Sequence, residues 1–423
     1  MNRRPVRVGM IGFGTVGQGV YRMLDVNRDH IAAKALAPIE VTRIGIRDKT
    51  KPRSVPSDKI TDDVWSIVED PEIDIVVELI GGLTPAEEIV SRALRAGKHV
   101  ITANKELIAK RGRALLDLAV QKQLDLRFEG AVGGGIPILQ PMQYPLSGNR
   151  IHRISGIVNG TTNYILTKMR EDRAELSVAL QEAQHHGFAE ADPTSDVDGY
   201  DAQYKIAILA SVASGKHLDP DSVYREGIRH ILRRDIEDAT ELGFRIKLLA
   251  SAEFLSHGVL ARVHPVMIPL NHRLGGVEGV YNGVWVVGNF VGDLTFVGRG
   301  AGGDPTASAV IGDLVDEARS VVLEGAGYLT LWQEEIVSLP ITELRSRYFL
   351  RFVTTDAPYG VEMFLRDHGL GVERMMSRMK RPGVHEVVLI TSECPESEFQ
   401  EVLHTLCALE STERVEQWLR VEM

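Results

Sequence analysis

Val6-Arg7-Val8-Gly9-Met10-Ile11-Gly12-Phe13-Gly14-Thr15-Val16-Gly17 decides how the chain begins to fold. A short apolar run from Val6 to Ile11 leads at once into G-x-G-x-x-G and then into a helical pattern reaching Leu24. Strand, glycine trio and helix in that order form the context in which this motif binds a dinucleotide. Gly12 is expected to make the tight turn, Gly14 to let backbone approach a pyrophosphate, and Gly17 to let helix and strand pack closely. The helix N-terminus then turns unpaired N–H groups and its positive dipole end to the phosphates.

The following segments continue the pattern. Ile39 to Ile46 reads as a second strand and ends in Arg47-Asp48-Lys49. An acid at that strand end suits the ribose hydroxyls of NAD, whereas bases suit the extra phosphate of NADP. Arg47 and Lys49 favour NADP, and Asp48 leaves NAD open. Ile73 to Ile80 and Lys98 to Thr102 read as further strands around a helix from Pro85 to Ala96, which implies parallel pairing with right-handed crossovers. Ligands bind beyond the carboxyl ends of such strands. Thr102-Ala103-Asn104-Lys105 lies at one of them, so Lys105 is expected to face the nicotinamide half of the cofactor. A lysine at a helix N-terminus is otherwise poorly placed beside the helix dipole.

With 423 residues the chain exceeds one ordinary core, so two or three domains are expected. A formal net charge of −10 argues against nucleic acid or an acidic membrane as partner. The two cysteines, Cys394 and Cys407, supply neither a disulfide framework nor a thiolate metal site to the bulk of the chain. Glycines interrupt the apolar run near the start, against a signal peptide, and no segment has the ~18 unbroken apolar residues of a membrane span. A cytoplasmic protein is expected.

The chemistry is expected in G-F-A-E-A-D-P-T-S-D-V-D-G-Y-D-A-Q-Y-K, Gly187 to Lys205. Pro193 and Gly199 keep its first part out of a regular helix. A buried helix then begins at Asp201, and Asp201 and Lys205, at i and i+4, share a face over its first turn. Taken alone, such a pair is a surface salt bridge. Its surroundings favour a functional reading. Glu129-Gly130-Ala131-Val132-Gly133-Gly134-Gly135-Ile136-Pro137 and Ser155-Gly156-Ile157-Val158-Asn159-Gly160-Thr161-Thr162-Asn163-Tyr164-Ile165-Leu166 lie between the dinucleotide motif and this stretch.

The ordered set G-F-G-T-V-G, T-A-N-K, E-G-A-V-G-G-G-I-P, S-G-I-V-N-G-T-T-N-Y-I-L and E-A-D-P-x-x-D-V-D-G-Y-D-A-x-Y-K resembles the homoserine dehydrogenases, over Val6 to about Arg345. The resemblance implies NAD(P)-dependent interconversion of L-homoserine and L-aspartate 4-semialdehyde, on the route to threonine, isoleucine and methionine. It implies Lys205 as catalytic lysine and Lys105 as a second essential lysine. Glu190, Asp196 and Asp201 would contact substrate, as would the Gly160-Thr161 turn. Phe13, Thr15, Val16, Gly187 and Gly303 fall where the family holds the cofactor. Glu129, with backbone of Val132, Gly134 and Ile136, resembles a monovalent cation site, sodium-like, built from a carboxylate and carbonyl oxygens.

The residue chemistry agrees. Reducing an aldehyde needs a hydride and a proton, and a lysine ammonium, with reference pKa ~10.4, can stabilise the developing alkoxide and donate. Asp201 would hold Lys205 charged. Glu190 or Asp196 would take the substrate's amino group, and N–H groups around Gly160-Thr161 its carboxylate.

Val259 to Phe296 reads as short strands with tight turns, and Gly298 to Thr306 as a second glycine-rich helix mouth covering the nicotinamide side. The tail reads β-α-β-β-α-β and resembles an ACT domain. Its turn Asp356-Ala357-Pro358-Tyr359-Gly360-Val361 is one residue longer than the D-x-P-G-V usual there. The expected architecture is therefore α/β. Residues 1–134 form a Rossmann-type domain, and 135–340 an α+β substrate and dimerisation domain whose 305–340 helix returns to the first. Residues 346–423 form the ACT-like βαββαβ regulatory domain, with threonine as expected effector. A homodimer or higher homo-oligomer is expected. An aspartate-semialdehyde dehydrogenase would need a cysteine nucleophile, and both cysteines lie in the terminal module. A catalytically silent nucleotide and amino-acid sensor is the remaining rival.

Overall fold

The structure is a computed structural model that describes residues 3–48, 55–323, 331–332 and 334–422. The first part of the chain runs β1 (Val6–Ile11), α1 (Thr15–Val26), α2 (Arg28–Ala35), β2 (Ile39–Gly45), β3 (Ile60–Thr61), α3 (Trp65–Val68), β4 (Ile75–Glu78), α4 (Ala86–Arg95), β5 (His99–Thr102), α5 (Lys105–Gln121) and β6 (Leu126–Arg127). Next come α6 (Leu139–Gln143), β7 (Ile151–Ile157), α7 (Gly160–Glu171), α8 (Leu176–His185), α9 (Thr194–Val197), α10 (Tyr200–Ser214), β8 (Tyr224–Arg225) and α11 (Arg233–Glu241). Two long strands follow, β9 (Phe244–Leu255) and β10 (Gly258–Pro269), then β11 (Tyr281–Gly288), β12 (Gly292–Arg299) and α12 (Gly303–Leu323). The tail contains β13 (Arg345–Thr354), α13 (Pro358–Asp367), β14 (Val372–Arg381), β15 (Val384–Thr391), β16 (Cys394–Pro395), α14 (Glu396–Ala408) and β17 (Thr412–Val421).

These elements form two compact units, neither continuous in sequence: residues 1–160, 201–222 and 280–337, and residues 161–200, 223–279 and 338–423. This differs from the three contiguous ranges expected from the sequence. In the first unit six parallel strands lie in the order β3-β2-β1-β4-β5-β6, the order of a dinucleotide-binding sheet. Ile75, Val76, Val77, Val100 and Ile101 are wholly buried, as strands covered on both faces require. Helix α12 lays Ala307, Val310, Ile311 and Leu314 into one core with Val8, Met10, Val20 and Leu24. Gly19 permits that contact, because a Cβ there would stand 3.0 Å from the Ala307 Cβ. Each fully buried aliphatic side chain in this core contributes about 1.5–3 kcal/mol relative to exposure. The same unit holds a three-stranded antiparallel piece, β12-β11-β7.

In the second unit β9 and β10 pair antiparallel along their whole length, from Phe244 opposite Pro269 to Leu255 opposite Gly258. The strands expected between Val259 and Phe296 are present as β10, β11 and β12, and β10 is the second arm of a long hairpin whose inner residues are almost all buried, so no polar alternation marks its limits. Strand β10 also pairs in parallel with β17 through Val266 and Arg420. From there β17-β13-β15-β14 continue antiparallel, which gives the tail its β-α-β-β-α-β order. Tyr348 and Phe399 stack at 3.8 Å in its core. Arg351, 1% exposed, lies between Asp235 of α11 at 2.6 Å, Asp238 at 2.8 Å and Glu416 at 3.2 Å. The tail thus shares a sheet and a buried ion cluster with the elements before it.

Candidate active site

Gly199, with φ +84°, reverses the chain ahead of α10 and sets Asp201 and Lys205 on that helix's first turn. Both are buried, at 3% and 7% exposure. Lys205 Nζ donates to Asp201 Oδ2 at 2.7 Å and to the Val158 carbonyl, just past β7, at 2.7 Å. The i,i+4 pair is therefore interior.

Lys105 reaches the same carboxylate. The carboxyl ends of β4 and β5 are tied by a buried polar chain. Glu78 Oε1 accepts from the N–H groups of Ile80 and Gly81 at 2.7 and 3.2 Å, and its Oε2 accepts from Thr102 Oγ1 at 2.6 Å. Asn104 caps α5 by accepting from Leu107 N at 3.1 Å and donates to the Gly82 carbonyl at 2.6 Å. Lys105 leaves the first position of α5, and its ammonium lies 2.5 Å from Asp201 Oδ1. Asp201 therefore bridges two cations. Burial alone would push its pKa up; the charges of Lys205 and Lys105 and their hydrogen bonds outweigh that and hold the carboxyl well below the usual range.

The glycine motif lies at the turn between β1 and α1. Gly12 has φ +102° and a Cβ there would meet Leu79 backbone at 2.7 Å, while one on Gly17 would lie 2.5 Å from the Gly12 carbonyl oxygen. Around Gly14 no protein atom lies within 4 Å of a Cβ, so the space above the N-terminus of α1 is open. Thr15 is exposed and Val16 half-buried there, whereas Phe13, 7% exposed, packs into the core edge-on to Tyr21. Gly303 abuts Thr15, where a Cβ would meet Thr15 Cγ2 at 2.8 Å, which brings the second glycine-rich turn against the first. Arg47 is exposed just past β2, and Lys49 lies outside the described residues.

Thr161, Gly187, Glu190 and Asp196 belong to the second unit. There Thr161 Oγ1 donates to the Phe188 carbonyl at 2.6 Å, which ties the start of α7 to the loop after Gly187. Glu190 is exposed and Asp196 half-buried on the single turn α9. Asp192 accepts from Thr194 N at 3.1 Å and Asp198 pairs with Arg229, so both serve the loop. Gly160 opens α7, where a Cβ would stand 3.0 Å from the Val280 carbonyl.

The expected cation site begins at Glu129. Glu129 is buried and its carboxylate accepts from the N–H groups of Ile138, Leu139 and Gln140 at 2.7, 3.0 and 2.7 Å. Both oxygens serve the start of α6, with two bonds on Oε1 and one on Oε2. Gly133 and Gly134, at φ 77° and 54°, turn the backbone between Val132 and Ile136, which leaves main-chain carbonyls as the donors that suit a hard cation.

His99, Asp125 and Glu317 form another buried cluster with ligand atoms within 4.8 Å of one another. His99 Nδ1 there accepts from Asp125 N at 3.1 Å, and Arg127 Nε donates to Glu317 at 2.7 Å. Arg127 also lies 3.7 Å from Asp125, so a cation already stands beside both carboxylates.

Asn159 escaped the sequence reading, as did Glu78 and the capping role of Asn104. Asn159 Nδ2 donates to Asp201 Oδ2 at 2.9 Å. The Asn-Lys pair ahead of an apolar helix pattern signals a cap. Nothing local signals Asn159, whose partner is far along the chain.

Residues 12–129 match the family model described as "Homoserine dehydrogenase, NAD binding domain", and residues 137–315 match "Homoserine dehydrogenase". The Synechocystis homoserine dehydrogenase is 40% identical over 98% of this chain and 99% of its own length. The chain belongs to the homoserine dehydrogenase family. Its Pseudomonas aeruginosa relative in that family is also 40% identical, over 99% of both chains. Among solved structures, the homoserine dehydrogenase from Thiobacillus denitrificans superimposes with a TM-score of 0.93 at 37% identity, covering 100% of this chain and 99% of its own. A hyperthermophilic archaeal homoserine dehydrogenase in complex with NADPH covers 77% of this chain and 100% of its own, with a TM-score of 0.64 and 28% identity. This family membership makes the chain an NAD(P)-dependent oxidoreductase with homoserine dehydrogenase activity. Among the described residues no helix is long and apolar enough to cross a membrane.

Proposed function

We propose that Lys205 passes the proton when L-aspartate 4-semialdehyde and L-homoserine interconvert, with Asp201 as its anchor and Lys105 as a second cation at the reacting oxygen. The observation that carries this reading is the double bridge on Asp201, 2.5 Å to Lys105 and 2.7 Å to Lys205. Two ammonium groups on one carboxylate leave the trio positive, which suits an oxygen that gains negative charge. The nicotinamide cofactor supplies or receives the hydride. Lys205 stabilises the developing alkoxide and donates to it in reduction; in oxidation its neutral amine takes the hydroxyl proton. Asp201, held ionised, keeps the ammonium charged and aimed.

The open space over Gly14 at the N-terminus of α1 suits a pyrophosphate. Exposed Arg47 beyond β2 favours NADP, and the NADPH complex of the archaeal relative supports the same choice. By resemblance, Gly187 and Gly303 border the cofactor, Glu190 or Asp196 takes the substrate's amino group, and the Gly160-Thr161 N–H groups take its carboxylate. A sodium-like ion would be held by the carbonyls of Glu129, Val132, Gly134 and Ile136.

The βαββαβ order of the tail supports an ACT-like module, with threonine proposed as its effector. The exposed strand β12, with Val297 55% exposed, supports a homodimer. Purified chain with homoserine and NADP or NAD, followed at the reduced-nicotinamide absorbance, tests the reaction and the cofactor preference. Repeating it with threonine tests the module, and an unchanged rate at saturating threonine would remove that role.

A further inference from the structure

Asp201 Oδ2 accepts two hydrogen bonds, from Lys205 Nζ at 2.7 Å and from Asn159 Nδ2 at 2.9 Å. Asn159 is 5% exposed and follows directly on Val158, whose carbonyl accepts the other bond from Lys205 at 2.7 Å. Two consecutive residues at the exit of β7 therefore hold both members of the pair, one through a side chain and one through the backbone. The remaining grip on the carboxylate comes from Lys105, a flexible side chain 40% exposed. A carboxylate held only by two lysines can rotate and follow them, whereas an amide donor on a strand end cannot move far. With two of its N–H directions set by Asp201 and Val158, the third direction of the tetrahedral Lys205 ammonium is set as well.

We propose that Asn159 is a positioning residue for the reaction, which fixes the Asp201 carboxylate and through it the direction in which Lys205 presents its proton. The proposal rests on the reading of Lys205 and Asp201 given above. Asn159 contacts the anchor and not the reacting atoms, so its loss costs alignment rather than cofactor binding. Misplacement of a catalytic group by about 1 Å costs on the order of 10²-fold in rate.

A double-mutant cycle on the full chain tests this, using Asn159→Ala, Asp201→Asn and both together, with homoserine and NADP as substrates. Asn159→Ala is expected to lower kcat by about 10²-fold while the dissociation constant for NADP stays within about twofold, and to cost little more in the Asp201→Asn background. Equal losses in both backgrounds would show that Asn159 acts without Asp201 and would overturn the proposal. Wild-type kcat in Asn159→Ala beside a crippled Asp201→Asn would overturn it alone and leave the Lys205 reading standing. Full activity in Asp201→Asn would overturn the anchor reading and the proposal with it. Should Asn159→Ala fail to fold, Asn159→Asp keeps the shape while replacing the donor by a like charge beside Asp201. Its kcat relative to wild type at the same pH is expected to fall at neutral pH and to recover partly in acid, where the new carboxyl is protonated and can donate; a relative loss that acid does not relieve counts against the proposal.

Discussion

Lys105 and Lys205 meet at opposite oxygens of one buried carboxylate, that of Asp201, although they stand on different helices and a hundred residues apart. Surface ion pairs contribute little, ~0–1 kcal/mol. A buried carboxylate between two cations is different, because removing it strands the buried ammonium of Lys205 without its counter-charge.

Asp201→Asn is accordingly expected to lose stability as well as turnover, by about 3–5 kcal/mol at neutral pH. The folded-state pKa of Asp201 lies below its unfolded value, near ~3.9. Its contribution is thus fully present above that unfolded value and is lost as pH falls through the folded pKa. Denaturant unfolding of wild type and variant should give curves that converge only in strong acid. A difference already gone at about pH 6 would contradict the charge assignment.

The glycine trio predicts two separable phenotypes. Gly14→Ala meets no protein atom and should fold with near wild-type stability, yet lose at least about tenfold in NADP affinity, or about 1.4 kcal/mol. Gly12→Ala forces an L side chain to φ +102° against Leu79 and should cost about 1–3 kcal/mol of stability. Thermal unfolding and fluorescence titration of cofactor separate the two. An unchanged affinity in Gly14→Ala would remove the pyrophosphate from that turn.

Arg351 gives a prediction for the tail. Its guanidinium is buried against Asp235 and Asp238, so Arg351→Ala leaves the buried Asp235 carboxylate without this cation, while Asp238 keeps Arg378 and Arg234, and should cost about 3–5 kcal/mol. Because the tail shares a sheet with β10, that loss should appear in the unfolding of the second unit as a whole. A separate early transition confined to the tail would contradict this.

Much of this was legible in the residues. The glycine spacing placed β1 and α1, and i,i+4 spacing placed Asp201 beside Lys205. What sequence alone missed depends on long-range geometry. The β9–β10 hairpin is buried nearly throughout, so no alternation outlines it. Strand β14, V-E-R-M-M-S-R-M-K-R, is mostly exposed or half-buried and rich in charge, and nothing in it reads as a strand until β15 pairs with it. Glu129 entered the expected cation site through the family resemblance alone. Its carboxylate caps the start of α6, a role visible only once Ile138, Leu139 and Gln140 are folded against it.

Lys205→Ala puts the central claim to the most direct test, by steady-state turnover of homoserine with NADP beside a binding isotherm for the cofactor. Turnover should fall to the limit of detection, while the cofactor's dissociation constant stays close to wild type. Substantial turnover in Lys205→Ala would contradict the assignment of proton transfer to this lysine.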